Sequence, residues 1–107
     1  MEKVKFSIGL FDKDSKRQEV DTYEATILIK QTLLAVGAVG LSIHVGKGVY
    51  MYGNGTLVCE PSVFAEAYNL EKENIRKAVE FLKKELNRES ITVEQSSAQI
   101  DLRENRR

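Results

Sequence analysis

The side chains able to do chemistry in this chain are few and far apart. His44 is the only histidine and Cys59 the only cysteine among 107 residues, so the usual sulfur and nitrogen ligands of a zinc site cannot be assembled. Nor is there a pattern that sets a nucleophile beside an imidazole base, and a lone histidine in a strand-like segment is more often structural than catalytic. Asp12, Asp14 and Lys16 begin like a calcium loop. Lysine at the third ligand position, Arg17 where a glycine belongs and Tyr23 at the twelfth position remove its charge and its turn. Gly46, Lys47 and Gly48 lack the preceding glycine and the following hydroxyl of a phosphate loop. No catalytic residue, metal ligand or cofactor is therefore assigned.

Binding chemistry is better provided for. Lys13, Lys16 and Arg17 place three cations in one polar segment, a set suited to an anion. Tyr50 and Tyr52 offer rings on which a base can stack, and His44 and Lys47 stand in the same segment. These seven residues are the candidate ligand site, and together they suit a nucleotide-like molecule. The whole chain has no long-range pull toward nucleic acid or anionic lipid, because 16 basic residues balance 16 acidic ones.

The elements that must position these residues follow from periodicity. Val4, Phe6, Ile8 and Leu10 alternate with polar residues or glycine and read as a strand with one face inward. Residues 11 to 20 are too polar for a core and read as an exposed loop or hairpin-like extension. Asp21 with Glu24 resembles a capping box, Ala25, Leu28, Ile29, Thr32, Leu33 and Val36 follow at helical spacing, and Gly37 supplies the stop. Leu41, Ile43 and Val45 alternate, then Tyr50 and Tyr52 resume in the other phase after Gly46 and Gly48, which predicts a bulge. Gly53, Asn54 and Gly55 predict a tight hairpin. The next strand, Leu57 to Cys59, meets Pro61, expected to mark a bulge or the strand's end. In residues 62 to 68, Val63, Ala65 and Ala67 favour continued strand, although the alanines and Glu66 would also suit a helix. Leu70 to Leu86 reads as the second helix, with Ile75, Ala78, Val79, Leu82 and Leu86 inward and Asn87 as its cap; Ile91 and Val93 open a last strand.

One α+β domain over residues 1–95, with a polar tail over 96–107, is expected. The order of strands and helices, βαββαβ, most easily makes an antiparallel sheet with both helices on one face, a ferredoxin-like sandwich. Cys59, in an apolar run, is expected to be a buried, inert thiol in a reduced compartment. The N-terminus lacks the apolar core of a signal peptide, and no apolar run is long enough to span a bilayer, so a cytoplasmic protein without a membrane partner is expected.

Fold alone does not choose a function. Lys47 to Tyr52 resembles the aromatic strand motif of RNA-recognition domains, but the motif lies on the third strand in that family, whereas here it precedes the central hairpin. Acylphosphatases need an arginine in a glycine-rich loop after the first strand, a setting Arg17 lacks, and the cysteine pair of metal-carrying domains is absent. Amino-acid-binding regulatory domains carry a small turn where this chain has a long charged loop. A broader resemblance covers Lys3 to Glu94. Ile8 to Lys16, Gly46 to Val58 and Leu86 to Glu94 resemble small uncharacterised proteins of phages and mobile elements of Gram-positive bacteria. That resemblance implies a context, since such proteins often block a host component or sequester its signal. The leading expectation is a non-enzymatic, homo-oligomeric binding protein, an antagonist of bacterial defence that holds a nucleotide-like signal or masks a host defence protein. A single-stranded nucleic-acid-binding module and a small enzyme with a site between subunits are the alternatives.

Overall fold

The computed structural model describes residues 2–97. Six elements follow one another: β1 (Glu2–Gly9), α1 (Thr22–Ala35), β2 (Gly40–Met51), β3 (Leu57–Tyr68), α2 (Lys72–Glu85) and β4 (Thr92–Ser97). The strands form one antiparallel sheet in the order β2-β3-β1-β4. This is the expected ferredoxin-like sandwich, with β1 and β3 central because each helical crossover leaves room for one strand between the two it joins. β4 runs to Ser97, past the domain limit drawn at residue 95. The rest of the expected tail, 98–107, lies outside the described residues.

The core forms where the helices meet one face of the sheet. Val4, Phe6 and Ile8 of β1 pair across from Ala67, Ala65 and Val63 of β3, and all six are fully buried with Ile29, Leu33 and Leu82 of the helices. Asp21 caps α1 by accepting hydrogen bonds from the backbone of Tyr23 and Glu24, the aspartate half of the expected capping box; among the described residues no hydrogen bond from the Glu24 side chain completes it. The other sheet face has no helix over it and carries Lys3, Lys5, Ser7, His44, Phe64 and Glu66, by the alternation of side chains along paired strands. On the solvated side of α2 the ion pairs are three residues apart, Glu73 with Arg76 and Glu80 with Lys83.

Three local expectations need correcting. No bulge interrupts β2, whose pairing with β3 runs unbroken from Gly40↔Tyr68 to Met51↔Leu57. The phase change is one of polarity and not of backbone: Val45, Val49 and Met51 stay on the helix side, and Tyr50 falls on the open face. Gly48 is needed for that arrangement, since a Cβ there would stand 2.5 Å from the Tyr50 hydroxyl. Pro61 neither bulges nor ends β3. It pairs with Lys47, and its carbonyl accepts from Leu10 N at 2.9 Å on the side where the β1 ladder has just finished, so its missing N–H leaves no gap in the sheet. Cys59 is exposed, because the β2–β3 hairpin extends past the helices as a two-stranded arm. The helix-side face of that arm leaves Val45, Val49, Met51 and Leu57 between 59% and 70% exposed.

Candidate functional site

Glu60 is a carboxylate with no solvent exposure, set where the arm joins the sheet. Removing a charge from water costs several kcal/mol unless it is paired and fully hydrogen-bonded, and here it is both. Its Oε1 accepts from Phe11 N at 2.7 Å and from Arg88 Nη1 at 2.9 Å, and its Oε2 accepts from the Tyr52 hydroxyl at 2.6 Å. The Arg88 side chain is itself only 6% exposed. Its Nη1 also donates to the Phe11 carbonyl at 2.9 Å. Gly9 makes the approach of these charges sterically feasible, because a Cβ at that position would lie 2.6 Å from the Glu60 carboxyl.

Around this pair the polar groups form a chain. The Tyr50 hydroxyl donates to Ser62 Oγ at 3.0 Å, Ser62 Oγ donates to the Glu60 carbonyl at 3.0 Å, and the Arg88 guanidinium lies 5.6 Å from the Tyr50 ring centroid. Burial, and then the bond to Glu60, raise the Tyr52 phenol above its ordinary value, so the hydroxyl remains a donor at neutral pH. The Asp12 carboxyl is held below its ordinary value by the backbone amide of Ser15, the Asn87 side chain and the amide of Asp14. These contacts fold residues 11–18 into a compact hairpin closed by the Phe11↔Gln18 bridge. Asn87, at φ +49 just past α2, donates to both Asp12 and Asp14 and locks that hairpin to the start of the β4 approach.

The result is a cavity of about 290 Å³ lined by Lys13, Tyr50, Tyr52, Arg88, Glu89 and Ser90, among others. A second, more apolar cavity of about 280 Å³ adjoins Tyr52 on the Phe11, Lys16 and Val58 side. Of the residues singled out in the sequence, Lys13, Tyr50 and Tyr52 meet at the first cavity and Lys16 stands 5.6 Å over the Tyr52 ring. Arg17 is exposed and paired with Glu19. His44 lines a separate hollow on the open face beside Lys5, Phe64 and Glu94. Lys47 shares the helix-side face of β2 with Val45 and Val49, opposite to Tyr50. Sequence reasoning missed Glu60, Arg88 and Glu89. The available signal was weak: one carboxylate at the strand's Cys59–Pro61 junction and one arginine 28 positions away, with no spacing rule to join them. Among the described residues no group of three histidine, cysteine or carboxylate side chains is placed to hold a metal ion.

No protein-family model and no curated protein sequence matches the chain. Solved structures do. A phage SAM lyase in complex with S-methyl-5'-thioadenosine is 22% identical, with a TM-score of 0.65 over 89% of this chain and 79% of that one. A point mutant of CutA1 from Pyrococcus horikoshii is 11% identical with a TM-score of 0.61 over 97% and 89%. The periplasmic divalent cation tolerance protein CutA from Archaeoglobus fulgidus is 12% identical with a TM-score of 0.58 over 97% and 90%. The chain shares their fold. A phage protein among them agrees with the context implied by the sequence resemblance. The expectation of a non-enzymatic protein is corrected by the same finding: a phage SAM lyase, an enzyme, shares this fold. The physical flaw lay in requiring a nucleophile and base, which not every bond cleavage needs. No helix of the described residues is long and apolar enough to cross a membrane.

The raised Tyr52 value has a definite sign. The folded state binds the phenolic proton more tightly than the unfolded chain, so the stability Tyr52 contributes is fully present below pH 10.0 and is lost as pH rises through the folded value. Denaturant melts of wild type and Tyr52→Phe at neutral and alkaline pH check this. The variant should be less stable at neutral pH by about 1–3 kcal/mol, the cost of a buried carboxylate oxygen left without its donor, and the gap should narrow above pH 10.0. A constant gap would contradict the assignment.

Proposed function

We propose that the protein is a small lyase acting on S-adenosylmethionine or a close sulfonium nucleoside, with the Tyr50–Tyr52–Arg88 cavity as its site. The observation that carries this reading is the pair of tyrosine rings fixed from below by Ser62 and Glu60 at the wall of a charged cavity. Aromatic faces attract a sulfonium cation in the same way as a quaternary ammonium. Likeness of fold to a phage SAM lyase bound to a thioether nucleoside supports the same ligand class.

The reaction suits a site without a dyad. The substrate's own carboxylate oxygen attacks the γ-carbon of the amino-acid arm, the carbon–sulfur bond breaks, and both its electrons go to sulfur. One C–O bond forms and one C–S bond breaks, giving S-methyl-5'-thioadenosine and α-amino-γ-butyrolactone without consuming water. The protein's task is to fold the arm into the attacking conformation and keep water out, which is an effect of proximity and not of acid–base chemistry. Glu60 is a positioning residue in this scheme, since it is buried and acts through Tyr52 and Arg88. An enzyme of this type on a phage would oppose host defence by consuming a nucleotide-like molecule instead of holding it.

The test is incubation of the purified protein with S-adenosylmethionine in ¹⁸O-water. Appearance of S-methyl-5'-thioadenosine with a lactone free of label is expected, and Tyr50→Ala and Tyr52→Ala should each lower kcat/KM about tenfold or more, the ~1–3 kcal/mol of a lost ring–ligand contact. No turnover by the wild type, or label in the product as first formed, would contradict the reading.

The site also bears on assembly. The proposed homo-oligomer rests on the arm, where Val49, Met51 and Leu57 stand at least 63% exposed on a ribbon of two strands. An isolated two-stranded ribbon is marginal in water, and burial of this face against a second copy would hold the strands that carry Tyr50 and Tyr52. Light scattering at tens of micromolar should give a multiple of 12.1 kDa, and Val49→Lys with Leu57→Lys should shift it to the monomer. A monomeric wild type would remove this part of the reading.

A further inference from the structure

The cavity holds free charges of both signs. Among the described residues only Nη1 of the Arg88 guanidinium makes hydrogen bonds, and Nε is buried without a partner. A buried donor left unsatisfied costs free energy, so Arg88 keeps one unmet donor beside its pairing with Glu60. Lys13 lines the same cavity, and among the described residues its ammonium has no ion-pair partner. Glu89 lies against the hairpin turn, with Oε2 3.0 Å from where a Cβ on Gly53 would be, and its carboxylate likewise has no ion pair among those residues. Arg88 is already paired with Glu60, so the uncompensated charges around this small hollow are one cation, Lys13, and one anion, Glu89, a set complementary to a zwitterion and not to a simple anion.

We infer that this cavity recognises the α-amino-acid end of its ligand, with the carboxylate on Arg88 and Lys13 and the ammonium on Glu89. The inference rests on the sulfonium nucleoside reading above and says which part of that molecule enters which cavity. About 290 Å³ is at the low end of small-molecule sites, so the nucleoside must extend beyond it. Holding one carboxylate oxygen on the cationic wall leaves the other free to reach the γ-carbon, and anchoring the ammonium sets the arm's torsions. Lys13 and Glu89 thereby become specificity-determining residues that distinguish a substrate with an amino-acid arm from a nucleoside without one.

Lys13→Ala and Glu89→Gln are the variants of choice, because both side chains are exposed and neither removes the partner of the buried Glu60. The probes are S-adenosylmethionine, which has the arm, and S-methyl-5'-thioadenosine, which lacks it. Each variant should lower kcat/KM for S-adenosylmethionine about tenfold, chiefly through KM, a change equivalent to about 1.4 kcal/mol. The Kd of S-methyl-5'-thioadenosine measured by calorimetry should stay within about twofold of the wild-type value. An unchanged KM in both variants, or an equal loss for both probes, would overturn the inference while leaving the lyase reading intact. A wild-type protein that neither cleaves nor binds S-adenosylmethionine would overturn both.

Discussion

A carboxylate and a guanidinium taken out of water together, Glu60 with Arg88, constrain everything around them. Such a pair offsets its desolvation only with good geometry and with its remaining lone pairs and protons engaged. Glu60, in β3, meets that condition by drawing in groups from three places: Phe11 N after β1, Tyr52 after β2 and Arg88 after α2. The charged hairpin of residues 11–18, the base of the arm and the corner leading to β4 are therefore not independent loops. Each is held to the others through one carboxyl group, and the cavity lies where they converge.

This placement explains why a common sandwich can carry a particular chemistry here. The helix-covered face of the sheet is given over to the core of Phe6, Ile29, Leu33 and Leu82. The open face near the end of β1 is left to polar groups, and there Tyr50 and Tyr52 are presented by the arm at fixed orientations. Fold supplies the frame, while the identity of the residues at this one corner supplies what can be bound. Small strand residues serve the same end: Gly9 gives room to the Glu60 carboxyl and Gly48 to the Tyr50 ring.

The fold was legible because burial imposes periods. Val4–Phe6–Ile8 at two and Ile75–Ala78–Leu82 at three to four announce a strand and a helix, and Asp21 before Glu24 marks a helix start that the hydrogen bonds bear out. The candidate site was only partly legible. Lys13, Tyr50 and Tyr52 were visible as chemistry, but Glu60 and Arg88 derive their meaning from each other across 28 residues, and no local pattern expresses that. The expected bulge at Gly46–Gly48 came from reading a change of polarity as a change of backbone, when aromatic residues had been placed on the open face. Cys59 was expected in the core because its apolar neighbours suggested burial, and a window of sequence does not reveal that the helices end before the arm does. Catalysis was discounted for want of a nucleophile and base, a criterion that does not hold for every bond cleavage.

The central claim, that Glu60 and Arg88 act as one unit organising the site, is tested most directly by a double-mutant cycle on stability with Glu60→Leu, Arg88→Met and the pair together. Each single change strands a buried charge and should cost about 3–5 kcal/mol, whereas the double variant should be much less destabilised than the sum of the two. Additive losses would contradict the account, because they would mean that each charge is held by something other than its partner.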